Sequence, residues 1–206
     1  PFLLFLASRV IAQQPVLLTC EFVFTSDDKY VCRLFQITVT DPSAEVTFFG
    51  VHLEGKTYVD VTGVEIRASN TPFIIPQLFT TFPNIVDLFI HNSGLQSIVI
   101  PPSVQLETVD IFRNNIPRLL NRTFIGQHKL RKMEIMNNSI EFVEAGAFEG
   151  LENLAHLMLC FNHIPQLDPT TFRPLKNINM LSVQGNLLTQ VDDETFSTNE
   201  KLSILN

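Results

Sequence analysis

Histidine and cysteine are the side chains of this 206-residue chain that could hold a metal, and their closest grouping is His156, Cys160 and His163. Imidazole and thiolate are the ligands that zinc prefers, with bonds of about 2 Å to nitrogen and sulfur. If residues 156 to 160 form one extended strand, His156 and Cys160 lie about 13 Å apart at about 3.3 Å per residue. One zinc ion cannot bridge that distance, so the sequence predicts no metal site.

Catalytic motifs and cofactor motifs are also missing from the sequence. The chain contains no glycine-rich phosphate loop, no HExxH and no GxSxG. The net charge of −7 disfavours nucleic acid as a partner, because phosphate binding needs clustered lysine and arginine. We therefore predict a protein that has no catalytic residues, needs no cofactor and binds no nucleic acid.

A periodic pattern positions these side chains. Units of 24 residues begin at residues 106, 130, 154 and 178, with apolar residues at positions 1, 4, 6, 11 and 14 and Asn at position 9, and a truncated unit begins at residue 202. Two weaker units begin at residues 61 and 85, and the second of them has only 21 residues. A fixed period of this length indicates structural units that stack on one another.

Each position in the unit has a predicted role. Positions 3 to 7 form a short strand, in which positions 4 and 6 point into the stack and positions 3, 5 and 7 point out. The amide at position 9 can bond backbone groups where the chain leaves the strand, so we expect a ladder of Asn114, Asn138, Asn162 and Asn186. Position 19 predicts an aromatic spine of Phe79, Phe124, Phe148, Phe172 and Phe196.

The region before the repeats is predicted to cap the first unit. Two β-rich runs around a polar turn between Cys20 and Val39 indicate a hairpin, and residues 44–53 indicate another strand. In a secreted protein Cys20 and Cys32 would form a disulfide, and otherwise they are reduced core cysteines. Residues 1–12 read as a probable signal peptide or, alternatively, a buried apolar strand. The predicted division is thus 1–12, a cap at 13–60, and repeats at 61–206.

These motifs resemble the extracellular leucine-rich repeat family, in the 24-residue type found in Toll-like receptor ectodomains and adhesion proteins. The cap and the Phe-rich sequence after it are similar to secreted insect leucine-rich repeat proteins, including mosquito leucine-rich immune proteins. The resemblance implies an α/β solenoid: a horseshoe with a concave parallel β-sheet and an N-terminal β-hairpin cap. It also implies an extracellular protein that takes part in innate immune recognition. Members of the mosquito group carry a coiled coil after the repeats, which is used to pair and to bind a complement-like partner.

Outward positions on the concave side are the candidate binding site. Apolar side chains occur there although the fold requires none, and exposed apolar patches usually contact another protein. The alternatives are that another segment covers them or that they are scattered exposed residues. The predicted partner-binding residues are Phe89, His91, Asp110, Phe112, Glu134, Met136, Met158 and Phe161, with Asp87 among the carboxylates around them.

Cys160 is the odd cysteine and takes an outward position in the repeat frame. It is either a thiol partly covered by Met136 and Phe161 or the attachment point of a disulfide-linked partner. Two glycosylation sequons begin at Asn121 and Asn137, and a glycan on Asn137 would obstruct the concave site.

The sequence thus predicts a secreted module that binds a protein partner through its concave face. The alternative is an ectodomain fragment of a cell-surface receptor or adhesion protein. After residue 12 we find no apolar run long enough to cross a membrane.

Overall fold

Strands dominate the computed structural model, which describes residues 14–192 and 194–206. In chain order they are β1 (Val16–Thr19), β2 (Glu21–Phe24), β3 (Tyr30–Phe35), β4 (Val46–Phe49), β5 (Gly63–Arg67), β6 (Asp87–His91), β7 (Thr108–Phe112), β8 (Arg118–Leu119), β9 (Lys132–Glu134), β10 (Phe142–Val143), β11 (His156–Met158), β12 (Met180–Ser182) and β13 (Ile204–Leu205). Helical structure in this part of the chain is limited to α1 (Gln77–Thr81) and a 3₁₀-helix at Tyr58–Asp60. The predicted signal segment at residues 1–12 lies outside the described residues.

One sheet runs through the whole described chain. Its nine strands there follow the order β2, β3, β5, β6, β7, β9, β11, β12, β13, and every neighbouring pair is parallel except β2 and β3. The register advances by one unit per strand, so that Met133 lies beside Leu157 and Leu157 beside Leu181. The predicted solenoid of stacked units is confirmed, and its return segments are built mainly from turns rather than helices.

Positions 4 and 6 of each unit form the core beneath this sheet. Alternation along a strand sends every second side chain to the same face, and the neighbouring units cover that face on both sides. In the units that begin at residues 61, 85, 106, 130 and 154, and at position 4 of the unit at 178, these side chains are at most 1% exposed: Val64, Ile66, Leu88, Ile90, Val109, Ile111, Met133, Ile135, Leu157, Leu159 and Leu181. Val183 and Leu205, at the equivalent positions that follow, are more exposed.

The predicted asparagine ladder is present. Asn138 shows the pattern: its Oδ1 accepts the N–H of Ile116 in the preceding unit, and its Nδ2 donates to the carbonyls of Ile111 and Met136. Each amide therefore ties the end of its own strand to the preceding unit. Equivalent bonds are made by Asn114, Asn162 and Asn186.

The aromatic spine is shorter than predicted. Four rings stack along the return side, with centroids 5.7 to 6.3 Å apart: Phe124, Phe148, Phe172 and Phe196. Phe79 does not join them, because the 21-residue unit between Phe79 and Phe124 has Ser103 at position 19. Instead, Phe79 lines a separate apolar cavity with Pro42 and Phe73.

The hairpin cap and its disulfide are also present. β2 and β3 pair antiparallel, and Cys20 is bonded to Cys32 with a Cα to Cα distance of 5.2 Å. β3 then pairs in parallel with β5, which makes it the first strand of the solenoid and leaves β2 to cover its edge. The predicted strand at 44–53 is confined to β4, which pairs with β1. The residue directly after β4 is glycine, Gly50, because a Cβ there would lie 2.4 Å from the Cys20 carbonyl oxygen.

One backbone feature recurs where each unit leaves the sheet. Position 8 adopts a positive φ between 50° and 71° in every unit from 61 to 178 and at the matching place in the cap. This left-handed turn frees position 9 to point its side chain back toward the preceding unit. The residues are Gln36, Ala68, Asn92, Arg113, Asn137, Phe161 and Gly185. No helix in the described part of the chain has the length and hydropathy of a membrane span.

Candidate functional site: the concave face

The concave face consists of the outward side chains of the nine-stranded sheet and of the residues that directly follow each strand. All eight residues predicted to bind a partner lie on it. Register places Phe89 beside Asp110 and His91 beside Phe112, and Glu134 lies between Asp110 and Met158 on neighbouring strands. Phe161 is 53% exposed, whereas the other seven are partly buried: Phe89, His91, Asp110, Phe112, Glu134, Met136 and Met158.

Phe112 is held between two cationic or ionisable neighbours. The ring of His91 meets it edge to face at 5.9 Å, and the Arg113 guanidinium lies 5.1 Å from its centroid. His91 Nε2 also lies 3.0 Å from Asp110 Oδ2, a distance typical of an ion pair although the contact lacks hydrogen-bond geometry. These contacts restrict the Phe112 ring, so it presents a fixed apolar surface.

The carboxylates of this face are already paired within the chain. Glu65, on β5, is only 6% exposed and contacts the guanidinium groups of Arg33 and Arg67, each at 3.1 Å. Glu134, on β9, lies 3.0 Å from the Lys132 ammonium group. A partner therefore meets carboxylates whose charge is largely compensated.

Asp87 differs from its predicted role at the rim of the site. It is fully buried, and its Oδ2 accepts a hydrogen bond from Lys29 Nζ at 2.5 Å. This bond raises the pKa of Lys29, with nearby carboxylate charge adding to the effect. Because Lys29 belongs to the hairpin and Asp87 to β6, the pair fastens the cap to the second unit. Asp87 is thus structural, and its prediction as an exposed carboxylate beside the patch was wrong.

Cys160 is also less accessible than its outward position predicted. The side chain is 6% exposed, and its thiol donates to Ser182 Oγ at 3.0 Å in the next unit. β11 ends at Met158, so Cys160 lies beyond the strand, where strict alternation no longer applies. The thiol is thus covered, with Ser182 as its hydrogen-bond partner, and this burial disfavours a disulfide-linked partner at Cys160.

The neighbouring histidines do not complete a ligand set with that thiol. His156 is on the concave face within β11, while His163 is exposed on the return segment. Across the described residues, no group of three or more His, Cys, Asp or Glu side chains could hold a metal ion.

One residue on this face was missed by the sequence analysis. Met180 is the first residue of β12 and position 3 of its unit; it lies next to His156 in the sheet and is partly exposed. Its spacing in the sequence could have identified it, because Met136, Met158 and Met180 follow one another at intervals of 22 residues. An interval two residues shorter than the repeat moves a side chain two positions back on the next strand.

The two sequons lie in different surroundings. Asn121 is exposed on the return side, where its Oδ1 accepts the Gly146 N–H at 2.8 Å and so does not engage the nitrogen that carries a glycan. Asn137 is partly buried beside Met136, with a left-handed backbone and its N–H bonded to the Cys160 carbonyl.

The repeats match a known family. The sequence model described as "Leucine rich repeat" matches residues 104–164, 128–188 and 152–206, which together span half of the chain. The chain belongs to the leucine-rich repeat family. No curated protein sequence matches it significantly.

Two solved leucine-rich repeat structures share its fold. Toll, in the Toll–Spatzle complex of Drosophila, superposes with a TM-score of 0.61 at 18% identity over 78% of this chain. TLR13, in its complex with ssRNA13, superposes with a TM-score of 0.57 at 21% identity over 80% of this chain. This chain covers only 22% and 28% of those two chains. Each neighbour was solved as a complex, with Spatzle in one case and with ssRNA13 in the other, and at these identities the likeness concerns the fold.

Proposed function

We propose that this protein is an extracellular recognition module that binds a protein partner through its concave face. The observation that carries the proposal is the position of Phe89, Phe112, Met158 and Phe161 on a sheet face whose core lies on the opposite side. Apolar side chains at such positions do not contribute to the hydrophobic core, and patches of this kind are used in protein contacts.

The charge of the face supports a protein rather than a nucleic acid as the ligand. The chain carries a net charge of −7, and Arg33, Arg67 and Lys132 are engaged by carboxylates of the same face. Phosphate binding requires lysine and arginine that are free to neutralise it. We therefore propose a protein ligand for this chain, and not an RNA such as the one bound to TLR13.

An extracellular location is supported by the disulfide between Cys20 and Cys32, because such bonds persist in oxidising compartments. Within that setting we propose a secreted protein of innate immunity, in line with the resemblance to insect leucine-rich repeat proteins. The second candidate is the ectodomain of a receptor or adhesion protein, favoured by the much longer chains of Toll and TLR13. A longer form of the chain with an apolar run of about 20 residues would favour that candidate, whereas one with heptad repeats would favour a secreted complex.

Asn121 is proposed as the glycosylated asparagine, since it is exposed and follows β8, outside the nine-stranded sheet. Asn137 is a poorer acceptor because it is partly buried in the turn after β9. In protein secreted from insect cells, Asn121→Gln should remove the mobility shift produced by a glycan-cleaving enzyme, while Asn137→Gln should not. A shift that survives Asn121→Gln and is lost on Asn137→Gln would reverse the assignment.

The binding proposal is tested by affinity capture from extracellular fluid of an insect, followed by mass spectrometry. The concave variant combines Phe112→Asp with Met158→Asp, and it should lose the partner that the native protein retains. The control combines Phe142→Asp with Val99→Asp, because these residues are 53% and 70% exposed outside the nine-stranded sheet. Both variants should melt close to the native temperature. Capture that is unchanged in the concave variant, or lost equally in the control, would contradict the proposal.

A further inference from the structure

Three of the four methionines of the chain lie on the concave face. We call Met136, Met158 and Met180 the methionine stripe. The fourth, Met133, lies in β9 at position 4 of the unit that begins at residue 130, and it is completely buried. One methionine thus belongs to the hydrophobic core, and three lie on the outward face of the sheet, where they do not contribute to the core.

The stripe crosses the sheet diagonally. Met158 lies beside Glu134 and Met180 beside His156, so each methionine is one strand further along and two residues further back than the one before. One strand is about 4.8 Å and two residues are about 6.6 Å, so each step is about 8 Å and the stripe is about 16 Å long. Long side chains still touch across such a diagonal.

The surroundings of the stripe present little charge. On one side Glu134 is paired with Lys132, and on the other Ser182 accepts the thiol hydrogen of Cys160. Phe161 adds an exposed ring next to Cys160. An occupant of the stripe therefore needs an uncharged, apolar contact surface.

Backbone pairing is not open to that occupant in the middle of the sheet. β9, β11 and β12 each have a hydrogen-bonded strand on both sides, so a ligand cannot add a strand there. It can contact only side chains. An apolar helix face repeats every 5.4 Å along its axis, so about three turns match a stripe of about 16 Å.

We infer that the methionine stripe is the docking site for an amphipathic α-helix of a partner protein, which lays about three turns of its apolar face across β9, β11 and β12. Flexible thioether side chains adapt to apolar faces of different shape, which suits methionine to this contact. The inference rests on the proposed function, and it specifies the kind of partner element and its place on the face.

The test uses displayed peptides of 16 residues selected on the immobilised native protein. One library has apolar residues fixed at helical spacing, and a second has them fixed at alternating positions. Peptides from the helical library should be enriched, and their affinity should fall at least tenfold with the double variant Met158→Gln and Met180→Gln. Phe142→Gln, which changes an exposed apolar residue outside the nine-stranded sheet, should leave the affinity unchanged.

Selective oxidation provides a second measurement on the native chain. Hydrogen peroxide should convert Met136, Met158 and Met180 to sulfoxides, and an enriched helical peptide should protect all three. Met133 should stay unmodified in both states and serves as an internal check on the fold.

Three outcomes would overturn the inference. The first is enrichment of only the alternating library. The second is enrichment of helical peptides whose binding is unaffected by the Met158 and Met180 substitutions but is lost with Phe112→Asp. Either outcome would refute a helix on the stripe and leave binding at the concave face intact. If no library yields peptides that the concave variants affect, the inference fails, and unchanged partner capture by those variants would then show that the proposed function fails as well.

Discussion

Replacing Asn114 with alanine tests the hydrogen bonds that join successive units. This amide uses both of its atoms: Oδ1 accepts the N–H groups of Ser93 and Leu95, and Nδ2 donates to the carbonyls of Ile90 and Phe112. Asn114 is 5% exposed, and Ser93 and Leu95 are fully buried. Water therefore cannot replace the amide unless the structure opens.

The size of the effect follows from the groups left without a partner. The Phe112 carbonyl keeps the N–H of Asn92, but the N–H groups of Ser93 and Leu95 each have one hydrogen and lose its acceptor. An unpaired buried donor costs about 1 to 3 kcal/mol. The two together should lower the free energy of unfolding by about 2 to 6 kcal/mol.

Asn115→Ala is the matched control, because it makes the same chemical change one residue later on an exposed side chain. It should change stability by no more than about 0.5 kcal/mol. Urea unfolding measures the difference, and native-state hydrogen exchange should show faster exchange at Ser93 and Leu95 only in the Asn114 variant. Equal stability of the two variants, with unchanged exchange at those amides, would refute the ladder as a source of stability.

Three further predictions concern the cap. Replacing Cys20 and Cys32 with alanine should cost about 3 kcal/mol in urea unfolding, because the bond closes a short loop in the unfolded chain; a loss below about 1 kcal/mol would contradict this. Lys29→Met should cost about 3 kcal/mol by leaving the buried Asp87 carboxylate unpaired, and adding Asp87→Asn should restore part of it; a Lys29 variant as stable as the native protein would show that the pair does not fasten the cap. Burial lowers the pKa of His52 from its usual value, so the unfolded chain takes up a proton that the folded chain does not, and stability that is present above about pH 6.5 should fall as the pH drops through it. His52→Phe should flatten this fall in thermal melts between pH 7 and 5, and an equally steep fall in the variant would assign it to another group.

Much of the repeat architecture could be predicted because each unit faces the same local requirements. Alternation along the strand placed Met133, Leu157 and Leu181 in the core, and the exit from the strand required the amides of the ladder. The left-handed backbone at position 8 was not predicted, since Arg113 and Phe161 are not residues that favour it. The turn forces this conformation on whatever residue stands there.

Buried amides at position 22 show the limits of a purely apolar pattern. Position 22 is apolar in three units, as Phe82, Leu151 and Leu175, and polar in two, as Gln127 and Asn199, yet both polar side chains are buried. Gln127 accepts the Leu106 N–H and donates to the Val104 carbonyl, and Asn199 donates to two carbonyls of the preceding unit. An irregular return segment leaves backbone groups unpaired, and a polar side chain is then the better residue for the interior.

The sequence alone determined the period, the inward residues and the face on which a partner could bind, because a repeat fixes each side chain relative to its equivalents one turn away. Only the tertiary structure decided which outward side chains remain accessible to a partner. Lys29 reaches Asp87 across 58 residues, and Cys160 is covered by Ser182 of the next unit. Such pairings depend on side-chain reach between the cap and the repeats, or between neighbouring units, and no period in the sequence specifies them.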